Sequence, residues 1–243
     1  MESVNVLGVK IHRLTMGEAL EKIEEYVASD SGHIIVTADA SGIVTAQNDE
    51  EFRQIVNNAD MITPDSTGIM LAAKWFGKPL AEKVSGVDLA QEICRRAVKK
   101  GWLVFLFGAA PGVADLAAEE LKRRFPGLNI AGTHNGYFQD DEEIVSQIRD
   151  SGAQILFVAL GIPKQEKWIH ANLDWIGVRV AIGVGGSFDV FSGKVRRAPE
   201  WMRKHGLEWA HRLIMNPRKI GKVATLPRFM LMVAKEKYLK RIT

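Results

Sequence analysis

The chain is 243 residues long, 47% hydrophobic, with a formal net charge of +3; this suits one sizeable α/β core, alone or with an appendage, and excludes a wholly disordered protein. Its single cysteine, Cys94, lies in the helical pattern DLAQEICRRAVKK, which excludes a disulfide framework or a cysteine metal cluster. No signal-type leader opens the chain and no apolar run reaches the roughly 18 residues of a spanning helix, so a cytoplasmic protein is expected.

In chain order, VNVLGVKI alternates like a strand, and LTMGEALEKIEEYVAS follows with helical spacing behind a cap at Thr15. HIIVT at 33–37 is a short strand entering a turn. The same event then recurs: NNADMIT before TGIMLAAKWFG, WLVFLFG before GVADLAAEELKRRF, LNIAGT before DDEEIVSQIRDSG, QILFVAL before KQEKWIHANL, and VRVAIGV before a basic tail. Repeated strand-then-helix units predict an α/β fold with a doubly wound, mostly parallel Rossmann-like sheet. Residues 194–243 hold 14 Lys and Arg against 3 acids (+11), leaving 18 against 26 (−8) in the rest. The chain therefore divides into an α/β body, 1–193, and a basic helical C-terminal appendage, 194–243, suited to nucleic-acid phosphates, anionic lipid or a polyphosphate substrate.

In open sheets of this kind ligands bind beyond the carboxyl ends of the strands. That rule selects Thr37 and Asp39, then Pro64 and Asp65, then Gly108, Ala109, Ala110, Pro111 and Gly112. After the later strands come Gly136 and Tyr137, then Gly161, Pro163, Lys164, Gln165 and Glu166, and finally Gly185, Gly186, Phe188 and Asp189. GAAPGV has glycines that would admit a phosphate to a helix N-terminus. It lacks the complete G-x-G-x-x-G spacing and the Lys-Ser/Thr of a P-loop, so it reads equally as a tight turn. Asp65, before TGIMLAAKW, reads locally as a helix N-cap or as a general base that takes a hydroxyl proton, and the turn alone does not decide. Lys83 is an anion ligand or a solvated charge; Gln165 and Glu166 begin a helix, where Gln165 can also meet a sugar or a base. The histidines show no metal-ligand spacing. In the tail, basic residues alternate with Trp201, Trp209, Leu213, Ile214 and the run Phe229 to Met232, a mixture suited to a lipid interface or to packing on the sheet. An NAD-dependent oxidoreductase built on GAAPGV and a nucleic-acid-binding module built on the tail stand as alternatives.

Taken together, VTAD (36–39), ITPDSTGI (62–69), KVSGVDL (83–89), FLFGAAPGVA (105–114), GYF (136–138), GIPKQEKWI (161–169), GVGGSFDVFSGKVRRAPEWMRKHGLEWAHRL (183–213) and NPRK (216–219) resemble the WecG/TagA/CpsF glycosyltransferases, glycosyltransferase family 26. The resemblance covers nearly the whole chain. It implies transfer, with inversion and without an obligatory metal or other cofactor, of an N-acetylmannosamine-type sugar from a UDP donor to a GlcNAc-diphospho-polyprenol, as in wall teichoic acid linkage-unit synthesis. Asp65 would be the catalytic base. Thr37, Asp39, Lys83, Gly161, Pro163 and Gln165 would serve the substrate pocket, and Gly108, Ala109, Pro111, Tyr137, Gly185, Gly186, Phe188 and Asp189 would line the donor site. Arg212, Arg218, Lys219 and Lys222 would fold over the diphosphate. A homo-oligomer, peripheral on the inner face of the cell membrane, with an anionic membrane surface and no nucleic acid as partner, is expected. The chain departs from the family pattern at Asp39, Ser66 and Lys83, where Asn, Gly and Arg are usual.

Overall fold

The computed structural model describes residues 1–205, 207, 208, 210, 211 and 225–242. VNVLGVKI is a hairpin rather than one strand: β1 (Ser3–Val6) pairs antiparallel with β2 (Val9–His12). Leu7 and Gly8 both take positive φ, 52° and 81°, the turn whose twist matches the paired strands, and the Gly8 N–H donates to Asn5 Oδ1 at 2.9 Å. The hairpin is anchored through buried His12, whose Nδ1 accepts the Ile62 N–H; burial pushes this imidazole down to about 4.

The body then alternates as its periodicity predicts. The elements are α1 (Met16–Ala28), β3 (His33–Ala38), α2 (Ala40–Ala46), α3 (Glu50–Asn58), β4 (Met61–Pro64), α4 (Thr67–Trp75), α5 (Gly86–Lys100), β5 (Leu103–Gly108) and α6 (Val113–Arg124). They continue with β6 (Asn129–His134), α7 (Asp141–Asp150), β7 (Ile155–Ala159), α8 (Lys164–Ile176), β8 (Val180–Gly183) and the short α9 (Ser187–Phe191). Thr15 and Glu18 close a capping box on α1, satisfying two backbone donors that the helix leaves unpaired. The six strands β3–β8 form one parallel sheet in the order β4-β3-β8-β7-β5-β6. Val, Ile, Leu and Phe fill the central strands because both faces are covered.

One face carries the hairpin, α2, α3, α4, α7 and α8; the other carries α1, α5, α6 and α9. The helices following neighbouring strands β5 and β7 thus lie on opposite faces, as do those following β8 and β3. Where adjacent connections diverge in this way, a crevice opens at the carboxyl edge.

In the appendage, α10 (Glu200–Lys204) and α11 (Thr225–Ile242) are helical. The latter packs on α2 and α4. Phe229 and Val233 are fully buried and Met230 and Met232 partly so, so of the two readings of this apolar run, lipid interface or packing on the body, these four side chains take the second. Burying Phe229 alone contributes about 2–3 kcal/mol, enough to seat the helix on the body. Gly68 makes room for it: a Cβ there would stand 3.0 Å from Leu226 Cδ1. Leu231, Tyr238 and Leu239 point outward. Among the described residues no helix is long and apolar enough to cross a membrane.

Candidate functional site

The turn after β4 holds Asp65 by its backbone, with the N–H donating to Ala38 O at 2.8 Å. Its neighbour Ser66, not Asp65, caps α4, and Ser66 Oγ accepts the Ile69 N–H. The serine that departs from the family pattern thereby removes the cap as a reason for the aspartate. Val84 N donates to Pro64 O and draws the 83–88 segment alongside. There Lys83 Nζ lies 3.0 Å from Glu208 Oε2, both side chains largely buried, so Lys83 is a paired charge rather than a solvated one. Ser85 caps α5 together with Asp88.

Arg197, in the loop beyond α9, completes this cluster. Its guanidinium grips Asp88 bidentately, Nη1 to Oδ1 at 2.5 Å and Nη2 to Oδ2 at 2.7 Å, and its Nε is 3.9 Å from Glu208 Oε1. Burial opposes its charge, yet the Asp88 hydrogen bonds and the fields of Asp88, Glu208 and Asp65 outweigh that and hold the guanidinium above its ordinary value. Asp65 therefore sits in the field of a fixed cation. Arg197 was invisible as a site residue within the basic run KVRRAPEW, because nothing in its spacing separates it from the neighbouring arginine.

The second centre is the crevice between β5 and β7, an open cleft of about 450 Å³ lined by Ala109, Ala110, Gly136, Tyr137, Phe138, Ala159, Leu160 and Lys164. Ala109 adopts φ of 61°, unusual for a residue with a Cβ. It is pinned by its N–H on Ala159 O and by the Gly136 N–H on its carbonyl, both at 2.8 Å. Tyr137 stands at the rim, 74% exposed, and Lys164 Nζ lies 4.9 Å from the Phe138 ring centroid as the one charged side chain of the lining. Gly108 faces the neighbouring strand, since a Cβ there would meet the Ala159 carbonyl carbon at 2.6 Å; it admits close strand packing rather than a phosphate. Pro111 is exposed, and Gly112 caps α6 in the open, φ 76°.

Between the two centres the remaining residues are mostly internal ties. Thr37 Oγ1 donates to Gly183 O at 2.8 Å. Asp39 caps α2, its Oδ1 accepting from Gly42 N and Ser41 Oγ at 2.8 Å each, a duty that Asn performs equally well. Gln165 is 2% exposed; its Oε1 accepts the N–H groups of Gly161 and Gly185 at 3.2 and 3.1 Å, so its carboxamide clamps two loops instead of standing open to a sugar. Pro163 precedes α8 behind a cis Ile162–Pro163 bond. Gly186 precedes α9, and Asp189 O accepts the Val195 N–H. The Phe188 ring, expected at the ligand, is fully buried in the core where α9 packs on α6. Phe188 and Phe191, both buried in that core, hold the short α9 down. Arg212, Arg218, Lys219 and Lys222, with Trp209, Leu213 and Ile214, lie outside the described residues. Asp65 and the cleft are separated by three to four strand spacings along one sheet edge, about 14–19 Å.

The profile of the glycosyl transferase WecG/TagA/CpsF family matches residues 4–243. An N-acetylglucosaminyldiphosphoundecaprenol N-acetyl-beta-D-mannosaminyltransferase of Bacillus spizizenii is 38% identical over 210 residues, covering 86% of this chain and 82% of its own. Proteins of the same name from Bacillus subtilis and Staphylococcus aureus are each 35% identical over 237 residues, covering 98% and 96% of this chain and 92% and 93% of their own. The chain belongs to the WecG/TagA/CpsF family of glycosyl transferases.

Proposed function

We propose that this protein transfers N-acetylmannosamine, or a closely related sugar, from a UDP-sugar to GlcNAc-diphospho-undecaprenol, a step in wall teichoic acid linkage-unit synthesis. The names of its relatives supply the sugar and the acceptor. The observation that carries the reading is the gathering, on one sheet edge, of a carboxylate in the field of the Arg197 guanidinium and an open cleft built from the glycine-rich turns. In this reading the nucleotide occupies the cleft between β5 and β7 and the sugar lies toward β4.

Asp65 takes the proton of an acceptor hydroxyl as that oxygen bonds to the anomeric carbon of the donor. The bond from that carbon to the diphosphate oxygen breaks, and UDP departs with the electron pair. Its added charge is met by Lys83 and by basic groups of the appendage, Arg212, Arg218, Lys219 and Lys222, in place of a metal. The acceptor's lipid confines it to a bilayer, and outward Leu231, Tyr238 and Leu239 among the basic residues of α11 suit that approach.

Incubating the purified protein with a GlcNAc-diphospho-lipid analogue and a panel of UDP-sugars tests the proposal, with calorimetry of UDP binding alongside. Transfer from UDP-N-acetylmannosamine is expected. Saturable binding of a nicotinamide cofactor without transfer from any UDP-sugar would overturn it in favour of the oxidoreductase.

A further inference from the structure

Beneath the substrate edge lies a carboxyl group that the reaction does not use. Glu166, on the first turn of α8, is 1% exposed. Its Oε1 accepts from Gln165 Nε2 at 2.8 Å, and its Oε2 is buried with no hydrogen-bond partner. Gly183 leaves space for the pair: a Cβ there would come within 2.5 Å of Gln165 Nε2 and 3.1 Å of Glu166 Oε1.

We infer that Glu166 is a positioning residue that holds the Gln165 carboxamide in the one orientation in which it ties the turn after β7 to the turn after β8. The chemistry is directional. Gln165 Oε1 accepts two backbone N–H groups, from Gly161 and Gly185, which already disfavour a half-turn of the amide, and the acceptor opposite Nε2 satisfies its other side and holds it there. A flipped amide would set its NH₂ against both N–H groups and leave them unsatisfied, and would turn its oxygen toward the Glu166 oxygen that now accepts from Nε2.

Glu166 does this as a neutral acid below about pH 7. Its carboxyl lines a chamber of about 10 Å³ walled by Val9, Val36, Ile43, Phe52, Val56 and Ile162, where a carboxylate would be unsolvated. Burial pushes it up to about 7, and the charge of Asp39, at the cap of α2, adds to the rise. The importance of this clamp for turnover rests on the transferase reading, in which both turns border the donor.

The test compares Glu166→Gln and Glu166→Leu in the full chain. Glutamine keeps the neutral acceptor, whereas leucine keeps the volume and suits the chamber. Amide hydrogen exchange at Gly161 and Gly185 is expected to rise about tenfold in the leucine variant, the weight of one net hydrogen bond, with the donor KM rising alongside; the glutamine variant should match the wild type. Unchanged exchange in the leucine variant, or equal acceleration in both, would overturn the inference. Should the leucine variant not fold, thermal unfolding of wild type and Glu166→Gln against pH decides. Because the folded value is raised, the wild type should lose stability between pH 4.5 and about 7 as the unfolded chain sheds its proton first, and the glutamine variant should lack that loss; parallel curves would refute the neutral acid, while wild-type exchange at Gly161 and Gly185 in Glu166→Met, which likewise lacks an acceptor, would refute the clamp. The expected exchange pattern without sugar transfer by any of the proteins would count against the transferase reading alone.

Discussion

Gly108 and Gly112 bound one turn, and the structure gives them unequal duties that a pair of alanine substitutions separates. At Gly108, with φ of 123°, a Cβ would stand 2.6 Å from both the carbonyl carbon and oxygen of Ala159 and 2.8 Å from its nitrogen. Those are backbone atoms of the paired strand, opposite Gly108 in register, so no side chain can rotate away. Overpacking of that kind costs about 1–3 kcal/mol, and the φ strain adds about 1–3 kcal/mol, giving about 2–6 kcal/mol for Gly108→Ala. At Gly112 the φ is 76° and nothing lies within 4 Å. Gly112→Ala therefore meets only the left-handed penalty of about 1–2 kcal/mol, offset by about 0.4–1 kcal/mol from the stiffer unfolded chain. Urea denaturation with UDP calorimetry reads both. With a slope of about 2–3 kcal/mol per molar, the middle of each range gives a fall in midpoint of about 1.6 M for Gly108→Ala and about 0.3 M for Gly112→Ala. Equal losses would show that the close approach of β5 to β7 does not govern this turn.

Arg197→Ala removes a bidentate pair with Asp88 and a cation near Asp65; because Asp88 is itself part-exposed, the stability loss should be only about 1–2 kcal/mol. Turnover should fall further than stability accounts for, and Arg197→Lys should restore little of it, since an ammonium lacks the planar fork. Replacing Leu231, Tyr238 and Leu239 by serine should leave the melting temperature nearly unchanged, because these side chains face outward. Cosedimentation with anionic vesicles should drop by tenfold or more, given about 0.8 kcal/mol for each methylene withdrawn from the interface; undiminished cosedimentation would remove α11 from the membrane contact.

Much of this molecule could be read in the sequence, for identifiable reasons. The strand-and-helix alternation through HIIVT, DMIT, LVFLFG and ILFVA survives because each run has a single environment, buried on both faces. The hairpin escaped because Leu7-Gly8 carries no Asn-Gly or Asp-Gly signature, though it adopts the same backbone. At ITPDSTG two adjacent residues could each cap the helix, and only coordinates assign the role to Ser66. Loop position brought Thr37, Asp65, Gln165 and the cleft residues to one edge, but it could not tell a ring that lines a site from one that fills a core, as Phe188 does. Glu166 looks like an ordinary acid in a helix's first turn, favourable to the dipole. Its burial depends on β3 and α2, more than a hundred residues earlier, and no local pattern encodes that.

The assignment of Asp65 as the base is tested most directly by Asp65→Asn, an isostere that keeps the backbone tie to Ala38 and loses the proton acceptor. Transfer from UDP-N-acetylmannosamine to the GlcNAc-diphospho-lipid should fall by about 10²–10⁴-fold while calorimetry finds UDP binding unaltered. Transfer at the wild-type rate by this variant would contradict the account.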